Sequence, residues 1–430
     1  MRVRDAGRHL KLIFPIGLYI VVSVSMMSCT SQQSDESASQ QAEKEHNKLL
    51  LISFDGFRAD YLSPDKTPYL YQLSKKGALS EGLIPVFPSK TFPNHYAIAT
   101  GLYPENNGLI GNSMVDSAMG KRYSLGNREQ VENAEWYGGE PIWNTAEKQG
   151  IGAGTMFWVG SEAPIQQMRP THWKSYDGSV PDSARIDTVI SWLGKDSVSE
   201  VDFATLYFSF LDSQGHRYGT DSHEVIKALK RVDALMSYLM QQLALYKLEE
   251  LTNIVLVSDH GMQNVSRERV ITLDSYVDIE KVQWVSGSPT VTLNIDPPYR
   301  TQAYQELRKA QEDGAPFKVY LKQDIPNRYR YKNHKRSPDI LLLANLGYTI
   351  TTSDRLASRP DFPSGGAHGY DPVHPEMHAI FLALGPDITP GTMLPPFEVI
   401  HVYELLTHLL HLSPASNDGS LQTFEGMLRD

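Results

Sequence analysis

The sequence predicts an α/β protein with a mostly parallel central sheet that is covered by helices on both faces. Continuous apolar runs bounded by turn residues recur along the chain, which is typical of strands that are buried on both sides. Segments with helical spacing lie between these runs, and the alternation of strands with helices favours parallel pairing. Three of the runs also lead into an aspartate, at the edge of the sheet where such folds bind ligands.

The first 29 residues have the features of an export signal. Basic residues, among them Arg2 and Lys11, precede an apolar run at 12–27 that is too short and too lightly flanked to indicate a spanning helix. The run ends at Cys29 in a sequence that resembles a bacterial lipoprotein cleavage site, so we expect Cys29 to become a lipidated first residue. An uncleaved N-terminal anchor helix is the alternative. Both interpretations place the rest of the chain on the periplasmic or cell-surface side of a bacterial membrane.

Composition separates a tether from a single large domain. Residues 30–47 are rich in Ser, Gln and Glu, which predicts a disordered tether. Residues 48–430 show no low-complexity break and form one predicted domain, in which about 282–320 reads as a β-rich subdomain or cap. Cys29 is the only cysteine, so an intrachain disulfide is excluded. The net charge of −10 argues against a surface for nucleic-acid duplexes but leaves a small nucleotide open.

Buried strands and helices follow one another along the domain. Strands are predicted at 49–54, 204–211, 254–258 and 379–384, and helices at 224–245 and 399–412. The first three strands lead into Asp55, Asp212 and Asp259. Three carboxylates at one sheet edge repel one another unless cations neutralise them. This arrangement therefore predicts a metal site.

Histidines accompany these acids at spacings that suit a metal. His216 follows Asp212 by one helical turn, and His260 is adjacent to Asp259. His368 lies in the glycine-rich segment 365–369, where backbone can approach an ion closely. Carboxylate oxygen together with imidazole nitrogen suits zinc or a related transition metal, whereas calcium prefers oxygen alone. Four other histidines are expected to be structural: His95, His172, His374 and His378.

Thr91 is the candidate nucleophile. It precedes the apolar helical segment 97–101, and the start of a helix stabilises an anion through its free N–H groups and dipole. A free threonine hydroxyl is too weakly acidic to attack at neutral pH, but a bound metal stabilises its ionised form. The alternative, that Thr91 only caps the helix, stays open on this segment alone.

Several motifs resemble the nucleotide pyrophosphatase/phosphodiesterase family of the alkaline phosphatase superfamily. The similarity spans about 49–386, and its motifs occur in the family's order. They are Asp55-Gly56-Phe57-Arg58, Lys90-Thr91-Phe92-Pro93-Asn94-His95-Tyr96, Thr100-Gly101-Leu102-Tyr103-Pro104-Glu105, 108–112, 212–216, Ser258-Asp259-His260-Gly261-Met262 and Gly366-Ala367-His368-Gly369-Tyr370. The resemblance implies an alkaline-phosphatase-like fold and hydrolysis of nucleotide phosphodiester or pyrophosphate bonds through a phospho-threonine intermediate, with release of nucleoside 5′-monophosphates.

The resemblance also implies a set of site residues. Two zinc ions are expected, one on Asp212, His216 and His368 and the other on Asp55, Asp259 and His260, with Thr91 between them. Asn112, which otherwise reads as a turn residue, is expected to donate a hydrogen bond to a phosphate oxygen. Four aromatic residues are expected to line or stack on the base: Phe92, Trp158, Tyr176 and Tyr207.

The same residues bear on other possible functions. A choline phosphodiester is the alternative substrate, because an aromatic box also binds a quaternary ammonium. A phosphomonoesterase is disfavoured since no arginine near Thr91 would hold a dianionic phosphate. A sulfatase would need a modified Cys or Ser nucleophile, and a non-catalytic binding protein on this scaffold should have lost the nucleophile or the ligands.

Overall fold

The computed structural model describes residues 47–194 and 199–429. The predicted signal segment with Cys29, and all of the predicted tether except Asn47, lie outside the described residues. Within the described part of the chain, no helix combines the length and the apolar character needed to cross a membrane.

The described residues form the following elements. The strands are β1 (Lys48–Phe54), β2 (Ala78–Ser80), β3 (Leu83–Ile84), β4 (Ser113–Asp116), β5 (Lys121–Ser124), β6 (Ala153–Met156), β7 (His172–Lys174), β8 (Phe203–Phe208), β9 (Thr252–Val257), β10 (Gln263–Asn264), β11 (Val270–Thr272), β12 (Val282–Ser286), β13 (Thr290–Ile295), β14 (Phe317–Leu321), β15 (Ile340–Ala344), β16 (Thr349–Thr351), β17 (Gly366–Ala367), β18 (Phe381–Leu384), β19 (Thr392–Leu394) and β20 (Phe397–Glu398). The α-helices are α1 (Pro68–Ser74), α2 (Thr91–Thr100), α3 (Pro104–Asn107), α4 (Arg128–Val131), α5 (Ile142–Lys148), α6 (Asp182–Leu193), α7 (Phe210–Tyr218), α8 (His223–Leu245), α9 (Pro297–Glu312), α10 (Ser353–Ser358) and α11 (Val402–Leu409).

An eight-stranded sheet forms the centre of the fold and confirms the predicted fold class. Its strand order is β19-β2-β18-β9-β1-β8-β6-β7. Strand β1 pairs in parallel with both β8 and β9, and the parallel arrangement continues through β6 to β7. Strand β18 runs antiparallel to β9 and to β2. The carboxyl ends of β1, β8 and β9 therefore lie side by side at one edge of the sheet.

Burial on both faces of β1 explains why its four consecutive residues at 49–52 are all apolar. Leu49 and Leu51 belong to a buried cluster with residues of α2, α5 and α11. Leu50 and Ile52 belong to another buried cluster with residues of α6 and α8. Successive side chains of a strand point to opposite faces, so a strand covered on both sides needs apolar residues throughout. This packing gives the sheet edge a rigid base.

A second sheet of four antiparallel strands has the order β12-β13-β15-β14. The segment 282–320, which we expected to be β-rich, supplies β12, β13 and most of β14. Helix α9 packs on this sheet, and Leu307 of the helix is buried with Val291 and Leu342 of the strands.

One predicted boundary was wrong. The apolar run at 204–211 is not a single strand, because β8 ends at Phe208 and α7 begins at Phe210. Leu211 is buried in the first turn of α7, so the run stays apolar on both sides of the junction. Asp212 consequently lies on a helix, and its backbone N–H donates to the carbonyl of Asp55 at 3.0 Å.

Candidate metal centre and nucleophile

The three predicted aspartates meet at the carboxyl edge of the central sheet. Asp55 follows the last residue of β1, and Asp259 lies two residues beyond the end of β9. Asp212 is brought to the same edge by the first turn of α7. Gly56 makes this approach feasible, because its φ is +73° and a Cβ there would lie 3.0 Å from the Cα of Asp212.

Six predicted ligands gather into two groups of three. Within each group one potential ligand atom per residue lies within 4.8 Å of the others. The groups are Asp212, His216 and His368, and Asp55, Asp259 and His260. They adjoin each other, because the rings of His260 and His368 stack with their centroids 3.5 Å apart.

Backbone carbonyls fix the tautomer of all three histidines. The Nδ1 atoms of His216, His260 and His368 lie 2.9, 2.9 and 2.8 Å from the carbonyl oxygens of Gly366, Gly261 and Ser89. A carbonyl only accepts, so each Nδ1 carries the proton and each Nε2 presents a lone pair. The Nε2 atoms of His216 and His368 are only 3.1 Å apart. Two facing lone pairs with no proton between them match a shared cation.

The aspartates show the same pattern, since each has one buried oxygen without a hydrogen-bond partner. These oxygens are Oδ1 of Asp55, Oδ1 of Asp212 and Oδ2 of Asp259. They face imidazole nitrogens: Oδ1 of Asp55 and Oδ2 of Asp259 lie 3.5 and 2.8 Å from Nε2 of His260, and Oδ1 of Asp212 lies 3.5 Å from Nε2 of His216. Buried polar atoms are rarely left unpaired, so these oxygens indicate a missing positive partner.

The pKa shifts of the three aspartates also indicate that the ligand cluster needs positive charge. Burial raises the pKa of Asp55, and the neighbouring Asp259 and Asp212 raise it further. Burial also raises the pKa of Asp212. Burial opposes ionisation of Asp259 too, but the neighbouring imidazoles of His260 and His95 outweigh it and leave that pKa below its usual range. The protein's own charges therefore do not keep all three carboxylates ionised. Two bound divalent cations would stabilise all three in the ionised form. The donor set fits the expected metals.

Thr91 is the first residue of α2 and does not act as its cap. The N-cap residue is Lys90, which makes no side-chain capping bond. The Thr91 hydroxyl instead lies 3.2 Å from Nε2 of His260, directly beside one ligand group. The capping alternative therefore does not describe this residue, and its oxygen is available at the helix N-terminus, where negative charge is stabilised.

Asn112 braces the same helix start. Its side-chain oxygen accepts a hydrogen bond of 2.9 Å from the backbone N–H of Phe92, which requires that the amide oxygen faces the helix. Among the described residues, no hydrogen bond occupies the amide nitrogen, which leaves it available as a donor. This geometry suits a donor to a phosphate oxygen.

The four predicted aromatic residues line one cavity of about 230 Å³ beside Thr91, Asp55 and Asp212. The four side chains differ in how much of each is exposed to solvent. Tyr176 is 40% exposed and Phe92 is partly buried, whereas Trp158 is only 1% exposed and donates its indole N–H to the carbonyl of His95. Tyr207 is also buried, and its hydroxyl donates to Oδ2 of Asp55 at 2.6 Å. Tyr207 thus belongs to the ligand cluster as much as to the cavity.

Further residues line this cavity without having been predicted. Leu125 and the ion pair between Arg128 and Glu162 form part of its wall. Glu162 also accepts from the backbone N–H of Tyr176 at 3.1 Å, so it ties an aromatic wall residue to the pair. Arg128 and Glu162 are 34 residues apart in surface-like sequence, and no local signal marks them as partners.

Among residues 47–194 and 199–429, the other histidines lie outside both ligand groups. His95 comes closest, since it lies 3.5 Å from Oδ2 of Asp259, but its Nε2 is paired with the hydroxyl of Ser53 at 2.8 Å. His172 contacts the carbonyl of Ser199, and His378 contacts that of Pro372.

The fold and the two ligand groups beside a threonine define the class: an alkaline-phosphatase-like α/β protein with a candidate two-metal centre. The sequence model of the family described as type I phosphodiesterase/nucleotide pyrophosphatase matches residues 49–371. The chain belongs to the type I phosphodiesterase/nucleotide pyrophosphatase family.

Curated relatives match most of this chain but are much longer. Human ectonucleotide pyrophosphatase/phosphodiesterase family member 1 is 38% identical over 392 residues, which cover 89% of this chain and 42% of that protein. Venom phosphodiesterase of Crotalus durissus collilineatus is 37% identical over 393 residues, which cover 90% of this chain and 47% of that protein. The chain thus spans less than half the length of these relatives.

Solved structures show the same similarity in three dimensions. Murine ectonucleotide pyrophosphatase/phosphodiesterase 5, as an inactive variant in complex with AMP, gives a TM-score of 0.84 at 32% identity. The human protein of the same name gives a TM-score of 0.84 at 33% identity. Both matches cover 89% of this chain and 100% of the other.

Proposed function

We propose that this chain is a two-zinc hydrolase that cleaves phosphodiester and pyrophosphate bonds of nucleotides and releases nucleoside 5′-monophosphates. The observation that carries the proposal is the position of the Thr91 hydroxyl, which lies at the start of α2 and 3.2 Å from a histidine of the ligand cluster. The family to which the chain belongs and the names of its relatives support this activity.

The two ligand groups would hold the two ions. Asp212, His216 and His368 would bind one, and Asp55, Asp259 and His260 the other. Carboxylate and imidazole donors in sets of three, each with free coordination positions, are typical of catalytic zinc. Bound zinc would lower the pKa of a hydroxyl or water that it contacts and would offset the negative charge of a phosphate.

Thr91 acts as the nucleophile in this proposal. Its oxygen forms a bond to phosphorus, and the bond from phosphorus to the leaving oxygen breaks with its electron pair on that oxygen. Water then attacks the phospho-threonine, which regenerates Thr91 and releases the monophosphate. The N-terminus of α2 stabilises the negative charge that develops, and the amide nitrogen of Asn112 donates to a non-bridging phosphate oxygen. The inactive threonine-to-alanine variant of the murine neighbour is consistent with such a role.

The aromatic cavity would receive the nucleoside. Phe92 and Tyr176 offer exposed ring area beside the nucleophile, whereas the buried Trp158 and Tyr207 offer only a wall. Stacking of a base on an aromatic ring contributes roughly 1–3 kcal/mol and depends little on which base is bound. The AMP complex of the murine neighbour supports a nucleotide ligand.

Turnover of the purified protein on a substrate panel tests the proposal. The panel contains a p-nitrophenyl ester of a nucleotide, ATP, a dinucleotide, p-nitrophenylphosphocholine and a simple phosphate monoester. We expect the nucleotide substrates, which are the nucleotide ester, the dinucleotide and ATP, to exceed p-nitrophenylphosphocholine and the phosphate monoester by about tenfold or more in kcat/KM, because only they carry a base that the aromatic cavity can bind. A preference for the choline ester would overturn the substrate assignment.

The nucleophile is tested by Thr91→Ala with Thr91→Ser as the matched control. The alanine variant should lose activity by about 10³-fold or more, since a covalent step cannot proceed without the oxygen. Serine keeps a hydroxyl and should retain measurable turnover. Bound zinc and the unfolding temperature should stay at wild-type values in both variants. Full activity of Thr91→Ala would exclude the covalent mechanism.

A further inference from the structure

Ser89 is a fully buried serine two residues before Thr91, in the segment between β3 and α2. It contacts three consecutive residues around the proposed ligand His368. Its carbonyl oxygen lies 2.8 Å from Nδ1 of His368. Its hydroxyl donates to the carbonyl of Tyr370 at 2.7 Å and accepts from the N–H of Gly369 at 3.1 Å. One residue of the nucleophile's segment therefore contacts both the imidazole ring and the backbone that carries it.

The segment that carries His368 has little regular structure of its own. Strand β17, which precedes it, is only 2 residues long, and Gly369 has a φ of +107°. A Cβ on Gly369 would lie 2.8 Å from Cε of Lys90, so the two segments are in direct contact. Glycine has great backbone freedom in the unfolded chain, so this segment needs hydrogen bonds to other parts of the protein to keep one conformation. The hydroxyl of Ser89 makes two such bonds.

The start of α2 is held in place without the Ser89 hydroxyl. Asn94 is fully buried in the first turn of the helix, and its side-chain oxygen accepts from the N–H of Val86 at 2.7 Å. Its amide nitrogen donates to the carbonyls of Pro88 and Lys90, at 3.1 and 2.8 Å. Among the described residues, the hydroxyl of Ser89 bonds only to the segment around the ligand histidine. Removing this hydroxyl should therefore disturb that histidine and not the nucleophile.

The other ligand group has its own supports. Nδ1 of His260 lies 2.9 Å from the carbonyl of the adjacent Gly261. Oδ1 of Asp259 accepts from the N–H of Gly56 at 3.3 Å. These partners belong to the turns that follow β1 and β9, so the hydroxyl of Ser89 acts on one ligand group only.

We propose that Ser89 is a positioning residue for the ion that Asp212, His216 and His368 would bind. Its carbonyl keeps the proton of His368 on Nδ1, and its hydroxyl holds the backbone of this ligand, so that Nε2 faces that of His216. The inference rests on the proposed function and adds a residue outside the ligand set. Hydrogen-bond partners of metal-bound histidines typically change metal affinity about 10–100-fold when they are altered.

The zinc affinity of Ser89→Ala measures this role. Zinc-free protein is titrated with zinc in competition with a chromogenic chelator, which gives a dissociation constant for each ion. We expect one constant to rise roughly tenfold to hundredfold and the other to change by less than about threefold. In a His216→Ala background, Ser89→Ala should leave the remaining constant unchanged, because both changes act on the same ion. Turnover should recover at saturating zinc, since Thr91 keeps its place.

Ser80→Ala is the matched control. Ser80 is also buried, and its hydroxyl also accepts from an N–H, that of Gly82, and donates to a carbonyl, that of Pro395. It lies on β2, and neither of these partners is a proposed ligand. Its alanine variant should keep both zinc constants. Ser89→Thr retains the hydroxyl and should keep both constants within about threefold of wild type.

Amide hydrogen exchange of Gly369 supplies a readout that needs no zinc. Its N–H donates to the Ser89 hydroxyl, so Ser89→Ala should raise its exchange rate roughly tenfold or more in the zinc-free protein, whereas Ser89→Thr should not. An unchanged exchange rate, or a further loss of zinc affinity in the His216→Ala background, would overturn the inference. If the unaltered protein binds no zinc, the proposed function fails as well. If it binds two zinc ions and Ser89→Ala changes neither constant, only the role of Ser89 fails.

Discussion

Replacing Tyr207 by phenylalanine separates its two roles, because the ring is kept and only the hydroxyl is lost. The ring lines the cavity beside Thr91, and the hydroxyl donates to Oδ2 of Asp55 at 2.6 Å. This bond anchors one oxygen of Asp55 and leaves Oδ1 facing His260. Burial and the neighbouring Asp55 raise the pKa of Tyr207, so the phenol stays protonated and donates at neutral pH.

The size of the effect follows from this single bond. A hydrogen bond to a charged acceptor contributes about 1.5–3 kcal/mol. Since 1.4 kcal/mol is a factor of ten, its loss should weaken zinc binding by roughly tenfold to hundredfold. The fold should be unaffected, because phenylalanine fills nearly the same volume among His95 and Tyr176.

Zinc affinity is measured by competition with a chromogenic chelator, and kcat/KM is followed as a function of free zinc. Tyr207→Phe should need more free zinc for half-maximal activity and should recover at saturating zinc. Tyr176→Phe is the matched control, because its hydroxyl contacts Ser209 at 2.9 Å and no proposed ligand. An affinity of Tyr207→Phe within twofold of wild type would refute the reasoning that this hydroxyl orients Asp55.

Two further predictions concern stability. Arg336→Met should cost about 3–5 kcal/mol in the free energy of unfolding, since it removes the buried partner of Asp116 and the donor to the carbonyls of Gly108 and Trp136. Lys335→Met should cost about 0–1 kcal/mol, because Lys335 bonds the same Asp116 oxygen from an exposed position. Chemical denaturation measures both, and equal costs would contradict the assignment. Burial and the charge of Arg336 lower the pKa of His334 from 6.5 to about 4, and its Nδ1 accepts the backbone N–H of Arg336. The folded state thus favours neutral His334, so its contribution is present above pH 6.5 and is lost as the pH falls toward 4. His334→Gln should flatten this decline in unfolding free energy, and an unchanged slope would show that other groups cause it.

The sequence was sufficient for much of the fold because burial on both faces leaves a readable pattern. The run at 49–54 and the helix at 224–245 appear in the structure almost at their predicted bounds, as β1 and α8. The predicted end of β8 was wrong. Phe210 and Leu211 belong to helix α7, and they are apolar because this helix packs on the core. Apolar continuity alone does not distinguish these two cases.

Some residues of the candidate site could be predicted from the sequence and others could not. Its ligand residues could be named from sequence, because acids after buried strands and histidines at short spacings are local patterns. The pair of Arg128 with Glu162 could not, since no local signal joins positions 34 residues apart.

The sequence by itself determined that Asp55 and Asp259 reach the sheet edge, because the residues that follow parallel strands lie at a known end of the sheet. Only the tertiary structure decided how they are used. It directed Nδ1 of three histidines to backbone carbonyls, left one oxygen of each aspartate unpaired, and turned Tyr207 toward Asp55. These choices depend on contacts between segments far apart in the chain, and a tautomer or a free lone pair is set by such a partner and not by the residue itself.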